Sequence, residues 1–356
     1  MTKITIIGGG KIGATAAFML HQGNRFEVTL SDLDPNLLKE AAKDGIHTVV
    51  ADVKNEKQLL DLLEPSDMVL SACPYFLNVA IATAAKKTHT HYFDLTEDVR
   101  TTNAIRELAK DAEVSFMPQC GLAPGFISIA AYDLSKSFDT LESVHLRVGA
   151  LPQYPVNRLK YNLTWSTNGL VNEYCNPCDA IVGGKRVEVA PMEGYERFSA
   201  GGTEYEAFNT SGGLASLAEV LEGKVQSLDY KTVRYPGHRD LMQFLLDDLG
   251  YAKQKDKLVT LLDKELPFAP QDKVLVFITV SGLINGRYTQ KVFTRTIYNQ
   301  QVATKEMTAI QVTTAGSACA VIDLHATGRL ATKGFIRQED VGLSMLMESP
   351  FARFYK

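Results

Sequence analysis

The sequence predicts an α/β chain, a doubly wound parallel sheet interrupted by an inserted α+β domain on a mainly antiparallel sheet. Three observations predict it. Short apolar runs alternate with amphipathic helical stretches through the first third of the chain, as in βαβ units on a parallel sheet. A glycine-rich turn, Gly8-Gly9-Gly10-Lys11-Ile12-Gly13, follows the first run and opens the first helical stretch. From about Ser143 the pattern changes to alternating strands with glycine hairpins, and a long helical stretch follows. That stretch is expected to return to the first domain. The Rossmann-type domain then comprises residues 1–125 plus about 307–356, and residues 126–306 form a substrate-binding and dimerisation domain.

The expected strands of the first domain are Lys3–Ile7, Glu27–Ser31, His47–Val50, Asp67–Ser71, His91–Phe93 and Val114–Met117. Lys11–Gln22, Lys54–Leu63 and Val99–Asp111 carry helical patterns between them. In the glycine turn, Gly8, Gly10 and Gly13 match G-x-G-x-x-G, with Lys11 and Ile12 inside the motif. Gly8 permits a tight turn, Gly10 lets the backbone approach a pyrophosphate at the helix N-terminus, and Gly13 allows close helix–strand packing. Asp32 ends the second strand, where an acid hydrogen-bonds the adenosine ribose. Leu33, Asp34, Pro35 and Asn36 offer no cation for a 2′-phosphate, so NAD is expected over NADP.

The later strand ends supply further candidates. Asp52 faces the adenine or caps the helix that follows it. Ala72, Cys73, Pro74 and Tyr75 lie at the edge where such sheets bind ligands. The fifth strand ends Asp94-Leu95-Thr96-Glu97. This places two carboxylates beside the nicotinamide half; Asp94 is the preferred proton-transfer group, and the alternative for Glu97 is to cap or decorate the next helix.

In the second part, strands are expected at Val144–Val148, Tyr161–Thr164, Val187–Val189, Tyr205–Phe208, Val274–Val280 and Tyr288–Ile297. Asn285-Gly286 and Gly183-Gly184 are hairpin signals. Helices are expected near Leu214–Leu221, Arg239–Leu249 and Met307–Leu330, the last stopped by Gly328. Cys175-Asn-Pro-Cys178 is a lone CxxC without a second ligand pair, so no metal site is expected. His238 lies in the turn Arg234-Tyr-Pro-Gly-His-Arg239.

Composition narrows the function classes. The net charge is -4, and a mildly acidic balance argues against nucleic acid as a partner. The longest apolar run, Val274–Val280, is far below the roughly 20 residues of a membrane span. Five cysteines, an odd number, and an N-terminus that runs straight into a strand fit a reducing, cytoplasmic location.

Six segments carry a resemblance beyond the nucleotide fingerprint. They are Cys120-Gly-Leu-Ala-Pro-Gly125, Val148-Gly-Ala-Leu-Pro152, Leu163-Thr-Trp-Ser166, Glu173-Tyr-Cys-Asn-Pro177, Glu206-Ala-Phe-Asn-Thr-Ser-Gly-Gly-Leu214 and Thr232-Val-Arg-Tyr-Pro-Gly-His238. In this order they resemble the saccharopine dehydrogenase-related family, and within it the lysine 6-dehydrogenase type. Saccharopine reductases tend to carry an acid where this chain has Ala123. The resemblance implies NAD(P)-dependent oxidation of a carbon–nitrogen bond in an amino acid. For the lysine type, the ε-amine is released as ammonia and the semialdehyde cyclises. A saccharopine-type secondary amine, a carboxyspermidine-type reduction and a non-catalytic nicotinamide-binding redox sensor are the alternatives.

An alkylammonium has a reference pKa of about 10.4 and must lose a proton before hydride can leave the adjacent carbon. Asp94 and His238 are the proton-transfer candidates. Tyr75 and Cys120 are expected at the nicotinamide end, and Trp165 beside the substrate's methylenes. Arg234 and Arg239 are candidates for the α-carboxylate, with Asn209 and Ser211 as further polar contacts. The inserted sheet has a face that helices leave uncovered, so a homodimer through this domain is expected.

Overall fold

Ile4, Thr5, Ile6 and Ile7 are all buried, and burial of successive residues suits a strand covered on both faces. The computed structural model describes residues 1–356 and divides into two compact units, Met1–Phe126 with Gln311–Lys356, and Ile127–Ile310.

The first unit begins with strands β1 (Thr2–Ile7), β2 (Phe26–Asp32), β3 (His47–Val50), β4 (Met68–Ser71), β5 (His91–Asp94) and β6 (Ser115–Met117). Helices α1 (Lys11–Gln22), α2 (Pro35–Lys43), α3 (Glu56–Leu63), α4 (Tyr75–Lys87) and α5 (Val99–Ala109) alternate with them. Three helices start on side-chain caps that satisfy free N–H groups: Asp34 accepts from Asn36, Asn55 from Gln58 and Asp98 from Thr101. The sheet order is β3-β2-β1-β4-β5-β6, every pair parallel. The winding direction therefore reverses between β1 and β4, and ligands of such sheets bind outside the carboxyl ends of the strands at that point. Leu59, Leu63, Val69, Ile81, Tyr92 and Ile105 pack into one core on this sheet.

In the second unit, reached through α6 (Phe126–Ser135), β7 (Thr140–Pro152) leads to α7 (Thr167–Cys175). Next come β8 (Cys178–Val182), β9 (Lys185–Val189), β10 (Glu196–Ala200) and β11 (Thr203–Asn209). Then follow α8 (Leu217–Leu221), β12 (Val225–Arg234), α9 (His238–Gln243) and α10 (Lys255–Glu265), and finally β13 (Asp272–Ile284), β14 (Arg287–Tyr298), β15 (Gln300–Val302) and β16 (Lys305–Met307). The main sheet runs β10-β11-β12-β7-β13-β14, with β8 on β12 and β9 on β8. It is mixed, because β12 pairs with β7 in parallel while the other pairs are antiparallel. A parallel pair needs a long crossover, and everything from α7 to α8 lies between these two strands.

Both glycine hairpins form. Asn285 and Gly286 have φ of 51° and 73°, and Gly183 and Gly184 have φ of 57° and 79°, as type I′ turns require. Tyr161–Thr164 is not a strand; only Leu163 forms an isolated bridge, to Phe268. The Asn157 side chain takes the groups a ladder would use, donating to the Tyr161 carbonyl and accepting from its N–H. The helix expected over Arg239–Leu249 is α9 followed by a wider π-type turn through Phe244–Asp248.

Helix α11 (Ala309–Ala326) starts where the buried Asp272 carboxylate accepts from the N–H groups of Ala309 and Ile310. Burial pushes the Asp272 carboxyl up to about 6. After α11, β17 (Gly334–Phe335) adds a seventh parallel strand beside β6, and α12 (Leu343–Glu348) follows. No helix is long and apolar enough to cross a membrane.

Candidate functional site: a nucleotide cradle and a caged arginine

The β1–α1 turn is made of missing side chains. Gly8 has φ 108°, and a Cβ there would stand 2.8 Å from the Ala72 carbonyl oxygen. A Cβ on Gly13 would stand 1.9 Å from the Gly8 carbonyl oxygen. A Cβ on Gly10 meets nothing within 4 Å, so this glycine answers to no protein contact and fronts open space at the start of α1. Asp32 holds the turn from the neighbouring strand, accepting from Gly9 N–H at 2.6 Å and from Asp34 N–H at 2.8 Å. Each carboxylate oxygen keeps a lone pair. A dinucleotide fits these residues, with pyrophosphate at the N-terminus of α1, flanked by Lys11 and Ile12, and ribose hydroxyls on Asp32.

At the end of β5, Asp94 is 0% exposed. Its Oδ1 accepts from the N–H groups of Thr96 and Gln119, each at 2.9 Å. Its Oδ2 accepts from the Tyr92 hydroxyl at 2.8 Å and the Asn78 amide at 3.3 Å. Burial raises its pKa to about 6 against the pull of these four donors.

The second unit cages Arg234, which is 2% exposed. Its guanidinium carbon lies 5.2 Å from the ring centre of Tyr161 and 5.8 Å from that of Tyr174. Nε donates to the Tyr174 hydroxyl at 2.9 Å and Nη1 to the Val233 carbonyl at 2.8 Å. No carboxylate lies within ion-pair distance of it, although the charge of the buried Glu173 acts on it from further away, and Nη2 makes no hydrogen bond. A buried cation without a direct anion partner is costly; the two rings offset part of that cost.

The same phenol fixes His238. Nδ1 lies 3.0 Å from the Leu159 carbonyl, which can only accept, so Nδ1 carries the hydrogen. Nε2 then accepts from Tyr174 OH at 3.0 Å. Burial, with Arg234 adding to it, lowers the imidazole pKa to about 3. The turn before it needs Gly237 at φ 98°, and Glu206 receives the N–H groups of Gly237 and Arg239 at the start of α9.

Family comparison matches residues 4–117 to the saccharopine dehydrogenase NADP binding domain and residues 121–351 to the saccharopine dehydrogenase C-terminal domain. The chain belongs to the saccharopine dehydrogenase family. A rat mitochondrial alpha-aminoadipic semialdehyde synthase is 30% identical over 198 residues, 52% of this chain and 21% of that protein. The chain thus spans about a fifth of the curated relatives that head the comparison. A Pyricularia oryzae saccharopine dehydrogenase [NADP(+), L-glutamate-forming] is 23% identical over 75% of this chain and 59% of its own length. Among solved structures, apo saccharopine dehydrogenase (L-Glu forming) from Saccharomyces cerevisiae superposes with a TM-score of 0.81 at 16% identity, covering 98% of this chain and 96% of that one. At that identity the likeness is one of fold. The nucleotide-domain match spans the residues of the cradle.

Within this saccharopine dehydrogenase frame, several expected site residues take other roles. Asp94 is sealed, and its lone pairs hold the β5 loop, so it is not free to exchange a proton with substrate. His238 is a neutral, enclosed anchor for Tyr174 rather than a base. Asp52 Oδ1 accepts from Lys54 N–H at 2.9 Å, the capping role of its two expected ones. Cys120 is 1% exposed and donates to the Met117 carbonyl, its thiol pushed well up by burial; it belongs to the core. Trp165 packs on the cluster of Tyr161, Leu170 and Tyr174. Asn209 clamps its own loop through the Ala190 carbonyl and backbone bonds to Met192 and Glu193. Arg239 stacks on Tyr195 and is turned to the Met192 carbonyl and Asp240.

Ser211 is buried, its N–H on the Glu173 carbonyl. The Oγ1 of its neighbour Thr210 is buried without a partner. In the first unit, Ala72 and Cys73 are half-buried and Pro74 exposed at the end of β4. The Cys73 thiol is pushed up to about 12 by burial. Tyr75 opens α4 and meets Phe76 edge-on at 5.8 Å. Tyr161 and Tyr174 were not legible as site residues: each is one more buried aromatic in the sequence, and only their convergence on Arg234 gives them a role. No group of three or more His, Cys, Asp or Glu side chains is placed to hold a metal.

Proposed function

We propose that the chain is a nicotinamide-dependent amino-acid dehydrogenase that oxidises the carbon–nitrogen bond at the ε-amine of L-lysine. One observation carries the amino-acid part: the buried guanidinium of Arg234, which makes no direct ion pair with a carboxylate. A substrate carboxylate supplies the missing direct partner, and its approach to Nη2 adds a charge-assisted hydrogen bond. Tyr174 orients the fork, and His238 orients Tyr174. In the other unit, the turn Gly8–Gly13 and Asp32 hold the dinucleotide. A nicotinamide held there would supply the hydride acceptor for the carbon next to nitrogen. Hydrolysis of the resulting imine requires water, so the substrate site stays wet.

NAD is the proposed nucleotide, because the Asp32 carboxylate repels a 2′-phosphate and the nearest following cation, Lys39, donates to Asn36 Oδ1 at 2.8 Å. The Pyricularia oryzae relative, a saccharopine dehydrogenase, makes saccharopine the second substrate reading. A spectrophotometric screen of L-lysine and saccharopine with NAD and NADP between pH 7 and 10 separates them. NADH formation from lysine is expected; saccharopine turnover without lysine turnover replaces the substrate, and preference for NADP overturns the cofactor choice. The reading includes a homodimer through the second unit, where edge strand β14 exposes Tyr288, Val292 and Tyr298, an edge of the kind proteins normally cover. A monomer in light scattering at micromolar concentration removes that part.

A further inference from the structure

The loop after β5 holds three acids, and two of them are occupied. Asp94 Oδ1 accepts from Thr96 N–H at 2.9 Å. Thr96 Oγ1 accepts from Asp98 N–H at 3.1 Å. Asp98 Oδ1 accepts from Thr101 N–H at 2.7 Å, at the start of α5. These three links hold the loop from the end of β5 into the helix. Glu97 is the residue spanned by the second link, and its carboxylate has no hydrogen-bond partner beyond its own backbone N–H. It is half-buried. The loop leaves the carboxyl end of β5, which lies beside β4 in register from His91 to Asp94. That is the edge of the sheet at which doubly wound folds bind their ligands.

We propose that Glu97 receives the substrate's ammonium group and takes its proton. The proposal rests on the dehydrogenase reading and names the proton acceptor that Asp94 and His238 do not supply. The step is R–NH3+ plus Glu97 carboxylate giving R–NH2 plus Glu97 carboxylic acid. One N–H bond breaks, one O–H bond forms, and the electron pair left on nitrogen is the one that later assists C–H cleavage. The electrons of that cleavage go to the oxidised nicotinamide. Being half-buried, Glu97 returns its proton to water before the next turnover.

Electrostatics favours the assignment. Burial, with repulsion from Asp98 and then Asp94, raises the Glu97 pKa to about 7. A carboxyl poised near neutrality is a better match for a general base than an ordinary one. An incoming ammonium also supplies the positive charge that this loop lacks.

The test compares the unmodified protein with Glu97→Gln and Glu97→Asp. L-Lysine binding to the NADH-loaded protein is followed by calorimetry at pH 8, and oxidation of L-lysine and of saccharopine with NAD is followed from pH 6 to 10. The expected result for Glu97→Gln is lysine binding weakened at least 10-fold, kcat reduced 100-fold or more, and loss of the acidic limb of the kcat/KM profile near pH 7. NADH affinity stays within 2-fold, which also reports an intact fold. Glu97→Asp recovers part of the activity and an acidic limb, and it decides the question alone if the glutamine variant does not bind NADH. Unchanged lysine affinity and an unchanged acidic limb overturn the proposal. If the unmodified protein oxidises neither substrate, the dehydrogenase reading fails separately, and binding decides: Glu97-dependent lysine binding upholds the ammonium site, whereas binding that ignores Glu97, or no binding, overturns it.

Discussion

The two units build their candidate ligand groups by opposite means. In the first, the cradle is backbone: N–H groups at a helix start, glycines where side chains would collide, and one carboxylate, Asp32, bonded to the turn it serves. In the second, the decisive group is a charged side chain held by other side chains, Arg234 between Tyr161 and Tyr174, with His238 behind. A backbone cradle needs little beyond its own short segment. A caged cation depends on residues that only the fold brings together, Tyr174 being 60 positions away from Arg234. The first should therefore fail through sterics and the second through unbalanced charge.

The largest expected effect tests the charged side. Arg234→Met should lower kcat/KM for the amino acid by about 3–4 kcal/mol, in the range for truncating a buried charge partner, while NADH affinity measured by fluorescence stays unchanged. A comparable loss of nucleotide binding would break the contrast between the units. Next comes Gly13→Ala, whose Cβ would sit 1.9 Å from a carbonyl oxygen. It should cost about 3 kcal/mol of stability, at the upper end for overpacking, read from urea unfolding. Its counterpart, Gly10→Ala, meets no protein atom. It should cost about 1 kcal/mol of stability or less and yet weaken NAD roughly 10-fold, since the new methyl stands where the pyrophosphate approaches. Equal effects of the two alanines on stability would show that the cradle does not face a ligand.

Tyr174→Phe keeps the ring and removes the hydroxyl shared by Arg234 and His238. A loss of about 1–2 kcal/mol in stability, the cost of leaving buried partners unsatisfied, should accompany a raised KM for the amino acid. A raised nucleotide KM instead would detach Tyr174 from the substrate side.

The smallest effect concerns acid. His325 is buried in the first unit, with Nε2 2.7 Å from Ser115 Oγ. Burial, then the neighbouring His91, lowers its pKa to about 4. Below its unfolded value of about 6.5, the unfolded chain takes up a proton that the native chain refuses, so this contribution to stability is lost as the pH falls from there towards 4. Buried carboxylates such as Asp94, raised to about 6, act with the opposite sign, because the native state protonates first. The clean measurement is therefore a difference: the stability of the unmodified protein relative to His325→Gln should fall between pH 6.5 and 4. A constant difference over that window contradicts the assignment.

The α/β class, the parallel sheet and both hairpin turns were readable because each rests on a local signal: apolar runs at strand spacing, glycines where φ must be positive, a motif between a strand and a helix. The parallel pairing of β7 with β12 was not, since alternation along a strand says nothing about the direction of its neighbour. The Tyr161–Thr164 segment misled for a related reason. Its apolar and aromatic content is that of a strand, but the Asn157 side chain takes the backbone groups.

By itself, the sequence determined the glycine turn, Gly8, Gly10 and Gly13, and the acid beside it, Asp32, because a turn and the acid one strand away are set by short stretches of chain and their stereochemistry. Only the tertiary structure decided which polar residues are occupied. Asp94 and Glu97 are the same kind of group three positions apart, and no local pattern ranks them. The Tyr92 hydroxyl, the Asn78 amide and the Gln119 N–H converge on one of them and leave the other to burial. Likewise Arg234 and Arg239 read alike in the sequence, but one is enclosed without a direct anion partner and the other is paired at the surface. Charge state and reactivity follow from desolvation and from the partners already in place, and the fold brings those partners from distant parts of the chain.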